Sequence, residues 1–315
     1  MQAWEFDSAG DVMHGLLWQP PTTSTITRQP TVPVMAVLQP SSLQRHQVSL
    51  SLKYVLVQLD GYSSMHLDGS TRPPFVHKIQ TDNLRVSSNS QSSPLSRCAG
   101  VMSLWPAKND TNGSHLWTVV RSEVERVNAE AMLYDDRDAV AALQSIAVYL
   151  LLRVFSRDEN DIELDILLIQ TMLSLTWRVM GITVRYCDPQ TIMDPPWEDW
   201  VLVESLRRTI FILLMLGLFF DMSPVTRSID CNLQKSWSSM VLPSSKQLWE
   251  AQTRSEWEIV YAFHRDHDLN VSKLYRHDRL DDQDNRSLNS WFANIDGFGA
   301  LVVQVASMLE KHFDD

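Results

Sequence analysis

Hydrophobic positions fall at helical spacing through most of the chain. Val48 to Leu59 alternates loosely and fits a helix or a strand, the helix being preferred; Cys98–Trp105 reads as a short helix, and the helical pattern strengthens from Ser114. Val120, Val124 and Val127 recur at spacings of four and three, with Glu123, Glu125 and Arg126 between them. Asp135, Asp136 and Asp138 then place acids where a helix begins. Val140, Leu143, Ile146, Ala147, Leu150, Leu151 and Val154 follow as a broad apolar stripe. The next period predicts a helix over 162–180, ended by Gly181. Thr253 with Glu256 reads as a capping box, and a last helix beginning near Asp296–Gly297 carries Phe298, Leu301, Val302, Val305 and Leu309 on one face. No comparable set of alternating strand segments is present. The pattern predicts an all-α domain.

The stretch Trp197–Phe220 is the centre of that prediction. Pro195 and Pro196 precede it, and Glu198 and Asp199 lie in its first turn, where negative charge suits the helix dipole. Trp197 and Trp200 share a face, and Glu204 precedes Arg208 by four residues, the favourable order for an ion pair. From Ile210 the segment is apolar all round, which marks a helix buried on every side. Trp197, Trp200, Glu204, Arg207 and Arg208 therefore read as a structural core motif, and Arg208→Ala is expected to destabilise the domain.

Residues 1–45 differ. Pro20, Pro21, Pro30, Pro33 and Pro40 interrupt a segment with a Ser/Thr run, which predicts a disordered arm ahead of a helical domain over 46–315. Its first part mixes Trp4, Phe6, Met13, Leu16, Leu17 and Trp18 with Glu5, Asp7 and Asp11. Two readings stay open: a short activation segment, or a tail whose apolar residues dock on the domain.

Charge and cysteine usage narrow the function. The net charge of −11 opposes non-specific DNA binding, and no basic run exceeds a pair such as Arg207–Arg208. Cys98, Cys187 and Cys231 are scattered, so they form neither a disulfide framework nor a zinc-site spacing and read as reduced thiols of an intracellular protein. The run Ile210–Phe220 is shorter than the roughly 20 residues a membrane helix needs, and a soluble protein is expected.

Candidate chemistry is sparse. His264, Asp266, His267 and Asp268, with His277, offer imidazole and carboxylate ligands for a metal. Asp281, Asp282 and Asp284 form an acid cluster of the kind that holds Mg²⁺ in helical enzymes. Both clusters read more simply as solvated charge, and no nucleophile motif or phosphate-cradling glycine loop is present. No catalytic residue and no cofactor are assigned, and the alternative kept open is an all-helical metal-dependent enzyme.

Several segments in order resemble the regulatory middle region of fungal zinc-cluster transcription factors, the fungal-specific transcription factor domain. They are Arg72-Pro73-Pro74-Phe75-Val76-His77; Trp117 with Glu123 and Arg126; Leu143-Gln144 through Tyr149 to Arg153; Trp197, Trp200, Glu204 and Arg207-Arg208-Thr209; and Leu248-Trp249-Glu250-Ala251 with Glu256-Trp257. The resemblance spans about Val48 to Asp315. It implies transcriptional regulation in the nucleus and, as in many such regulators, control of one secondary-metabolite gene cluster. It also implies a protein partner (another transcription factor or a coactivator) and a small-molecule effector held between helices. The family's six-cysteine cluster is missing from the sequence. The expectation is therefore a regulator without its own zinc cluster, meeting DNA only indirectly and no membrane, unless a segment encoding the cluster precedes the present start.

Overall fold

The computed structural model describes residues 37–46, 49–67, 71–86, 93–109, 111–156, 158, 161–186, 195–222, 225, 233–262, 269–276 and 280–310. Among these the fold is all-α, with fourteen helices and no strand. Two isolated bridges, Pro40 with Phe220 and Val241 with Asn270, are the nearest approach to sheet pairing.

The elements in chain order are α1 (Ser42–His46), α2 (Leu50–Ser63), α3 (Lys78–Val86), α4 (Pro94–Leu104), α5 (Gly113–Glu130), α6 (Asp136–Phe155) and α7 (Ile162–Tyr186). After these come α8 (Trp197–Phe219), α9 (Leu233–Ser239), α10 (Lys246–Glu250), α11 (Arg254–Tyr261), α12 (Val271–Tyr275), α13 (Asp282–Asn294) and α14 (Gly297–Glu310). Helix starts follow local chemistry. Asp135 accepts from Asp138 N at the start of α6, Ser49 from Leu52 N at α2, and Thr253 and Glu256 form both halves of a capping box at α11.

Two helices make the centre. Every residue of α6 from Ala139 to Arg153 is buried, and α8 is buried on nearly all sides from Trp197 to Phe219. α6 packs against α2, α4, α7 and α8, so its apolar girdle has a partner in each direction. That explains why α6, with the length and hydropathy of a membrane span, is 83% buried within the protein; the corresponding window of α7, Ile162–Ile182, is 44% buried. A second, smaller apolar cluster joins Trp197, Trp200 and Val201 to Leu248, Trp249, Trp257 and Tyr261.

Two sequence expectations are corrected. Gly181 does not end α7, which continues to Tyr186; Ile182 is fully buried, and its packing outweighs the roughly 1 kcal/mol cost of a helical glycine. The arm was expected to reach residue 45, but residues 37–46 belong to the packed body. Leu38 N donates to the Asp221 carbonyl at 2.9 Å, Asp221 N to the Gln39 carbonyl at 2.8 Å, and Ser41 Oγ to the Leu218 carbonyl at 2.7 Å. Leu38 has a left-handed backbone, φ 57°, and its side chain is buried. The expectation for residues 1–36 lies outside the described residues.

Candidate functional site

α8 places Glu204, Arg207 and Arg208 one turn apart, and the fold closes around them. Arg208 is fully buried. Its Nε donates to Glu204 Oε1 at 2.8 Å and its Nη1 to Asp296 Oδ2 at 2.6 Å. Nη1 also reaches the Pro74 carbonyl at 3.3 Å, and Nη2 the Ser244 carbonyl at 3.2 Å. The guanidinium lies over the Trp249 ring, 4.1 Å from its centroid, and 5.2 Å from that of Phe298. A planar cation with a fork of donors suits this role, because it meets carboxylates edge-on and aromatic rings face-on.

The acids of the hub are also saturated. Glu204 Oε1 accepts from Ser244 N at 2.9 Å, and Glu204 Oε2 accepts from Arg207. Asp296 Oδ1 accepts from Gly299 N at 2.8 Å, so one carboxylate caps α14 and pairs with Arg208. A buried ion pair needs such additional bonds to offset desolvation.

The Arg72–His77 segment is fixed beside this hub. Ile79 N donates to His77 Nδ1 at 3.3 Å, which leaves Nε2 to donate to the Trp249 carbonyl at 3.0 Å. Burial is the largest influence on His77; it lowers the imidazole pKa to about 4 against the pull of the Trp249 carbonyl, and Arg72 and Arg208 add to the lowering. The ring is therefore neutral. Gln144, a lone amide inside the apolar girdle of α6, donates to the Phe75 carbonyl at 2.7 Å and exchanges bonds with Gln80. Ser205 Oγ and His77 N both donate to Gln80 Oε1.

Four of the five sequence segments that carry the family resemblance thus converge: 72–77, the Gln144 helix, the α8 motif and the Trp249–Trp257 region. Trp197 and Trp200 stand at its aromatic edge, with Trp197 meeting His77 edge-on at 6.3 Å and Trp200 beside Trp257 at 5.7 Å. The fifth segment makes separate contacts. Trp117 Nε1 donates to Asp158 Oδ2 at 2.7 Å and lies under Arg153, while Glu123 pairs with Arg97 at 2.8 Å. Gln80, Ser244 and Asp296 carry no local signal of membership in the hub. Gln144 does, as a polar residue within an apolar run.

Chemically the hub is a clamp. Its charges are paired with one another, and its hydrogen bonds run between segments of the protein.

The acid cluster has ordinary local duties. Asp281 accepts from Asp284 N as the cap of α13, and Asp284 Oδ1 accepts from Lys273 Nζ at 2.7 Å. The His264–Asp268 cluster and His277 lie outside the described residues. Among the described residues no group of three His, Cys, Asp or Glu is placed to hold a metal ion.

A cavity of about 340 Å³ opens where the strap of residues 37–40 crosses the C-terminal end of α6. Arg153, Asp165, Phe155 and Phe220 line it, as does Gln44, whose buried Oε1 has no partner in the protein. Arg153 Nε donates to Asp165 Oδ1 at 2.5 Å, and burial holds the Asp165 pKa above the usual carboxylate range despite that pairing.

No protein-family model matches the chain, and no curated protein and no solved structure matches it at a significant level.

Proposed function

We propose that the chain is the regulatory body of a transcriptional regulator without a zinc cluster of its own, acting in the nucleus through a protein partner. DNA is met through that partner, a transcription factor or coactivator. The targets are the genes of one secondary-metabolite cluster. The cavity beneath the 37–40 strap is the place for a small effector. The reading is supported by the convergence of four resemblance-bearing segments on the Arg208 clamp. Residues as far apart in sequence as Pro74 and Trp249 meet at Arg208, with Phe75 joined through Gln144 and Trp257 packed beside Trp200. The net charge of −11 accords with indirect rather than direct DNA contact.

The test is the transcriptome of a strain lacking this gene beside its parent. A contiguous set of genes falling silent is the expected result. Loss of one metabolite with no transcript changed overturns the reading in favour of a helical enzyme.

A further inference from the structure

The wall of the cavity under the 37–40 strap specifies what it can hold. Its volume, about 340 Å³, lies at the small end of ligand sites and far above the roughly 30 Å³ share of one water. Phe155 and Phe220 stand in the wall edge to face, 5.7 Å apart, with Val37 and Leu38 in the strap beside them. An apolar body about the size of one ring suits such a wall.

The charges of the wall are already matched. Asp165 accepts from Arg153 Nε at 2.5 Å, and both side chains are buried. Asp158 accepts from Lys108 Nζ at 2.6 Å and from Trp117 Nε1 at 2.7 Å. A carboxylate entering the cavity would face two acids, and an ammonium two cations, with the opposite charges already paired in each case. Burying a charge without a partner is costly, so the wall selects against both.

One polar atom of the wall is left over. Gln44 Oε1 is buried and accepts no hydrogen bond from the described residues. A buried acceptor of this kind calls for a donor.

We infer that the cavity binds a small uncharged molecule with an apolar ring and a hydroxyl, the ring against Phe155 and Phe220 and the hydroxyl donating to Gln44 Oε1. The inference rests on the effector reading above and names that effector's chemistry. Binding is read on the purified chain, so its failure is distinguishable from failure of the regulatory reading, which the transcriptome decides.

The experiment is a ligand-observed NMR titration of the full chain with phenol, anisole, benzoate and benzylamine, which share a ring and differ in donor and charge. Phenol should bind saturably with a Kd of about 1 mM or below, and about tenfold more tightly than the other three. Gln44→Leu removes the acceptor at similar volume and should weaken phenol to the level of anisole, leaving anisole unchanged. Its melting temperature should not fall, because Gln44 Oε1 has no partner to lose. If Gln44→Leu does not fold, Gln44→Met makes the same comparison. Benzoate or benzylamine binding more tightly than phenol overturns the inference, as does phenol binding no tighter than anisole or unaffected by the Gln44 variants. Absence of saturable phenol binding assigns Gln44 Oε1 to a bound water and overturns it too.

Discussion

Arg208 Nη1 lies 2.6 Å from Asp296 Oδ2, across 88 residues of sequence, while Asp296 Oδ1 holds the amide of Gly299 at 2.8 Å. One aspartate therefore fastens the central helix α8 to the start of the last helix. Arg208→Ala leaves Glu204 and Asp296 without their buried cation, and we expect a loss of about 3–5 kcal/mol in urea unfolding. Arg208→Lys should recover only part of it, since an ammonium cannot span two carboxylates, two carbonyls and an aromatic face.

Asp296 itself separates charge from cap. Asp296→Asn keeps an acceptor for Gly299 N, and Asp296→Ala keeps neither. The alanine variant should be the less stable by about 1 kcal/mol in the same measurement, the usual contribution of a helix cap.

His77 sets a pH dependence. The imidazole is neutral in the folded protein, with a pKa near 4, and titrates near 6.5 when unfolded. Between those values the unfolded chain binds more protons, so this contribution is complete above about pH 6.5 and is lost as pH falls toward 4. It amounts to about 3 kcal/mol over the window. Denaturant midpoints for wild type and His77→Gln, measured from pH 7 to pH 4, should show a steeper decline in wild type.

Two glycines of α14 should respond in opposite ways to alanine. A Cβ at Gly299 would lie 2.9 Å from Ile295 Cβ, the rigid root of that side chain, whereas nothing lies within 4 Å of a Cβ at Gly297. Thermal unfolding should show Gly299→Ala destabilised by about 1–3 kcal/mol, despite alanine's better helix propensity, and Gly297→Ala neutral or slightly stabilised.

Cys98 is buried beneath α6, and burial pushes its thiol pKa up to about 12, although Tyr149 and Ser145 interact with it. Peptide mapping after brief iodoacetamide treatment should find Cys98 unmodified in the folded protein and modified after denaturation.

Much of this architecture is legible in the sequence because it is local. Helical spacing of apolar residues marks α5, α6, α8 and α14, and Asp135, Thr253 and Glu256 mark starts by satisfying amides three residues away. The Glu204–Arg208 pair follows from a spacing of four. Gly181 shows where local inference stops, because whether a glycine ends a helix depends on what waits beyond it, here the buried Ile182.

Only the tertiary structure decided how these helices are fastened together. The Arg208 clamp draws on carbonyls at Pro74 and Ser244, a carboxylate at Asp296 and a ring at Trp249, at separations of 36 to 134 residues. No periodicity encodes such distances. The strap of residues 37–41 is hidden for the same reason, since its hydrogen-bond partners lie at the far end of α8. Sequence alone determined the long helices α5, α6, α8 and α14 and their apolar faces, because those rest on contacts within a turn or two. The fold decided which buried charges meet, because that depends on closing long loops around a common cation.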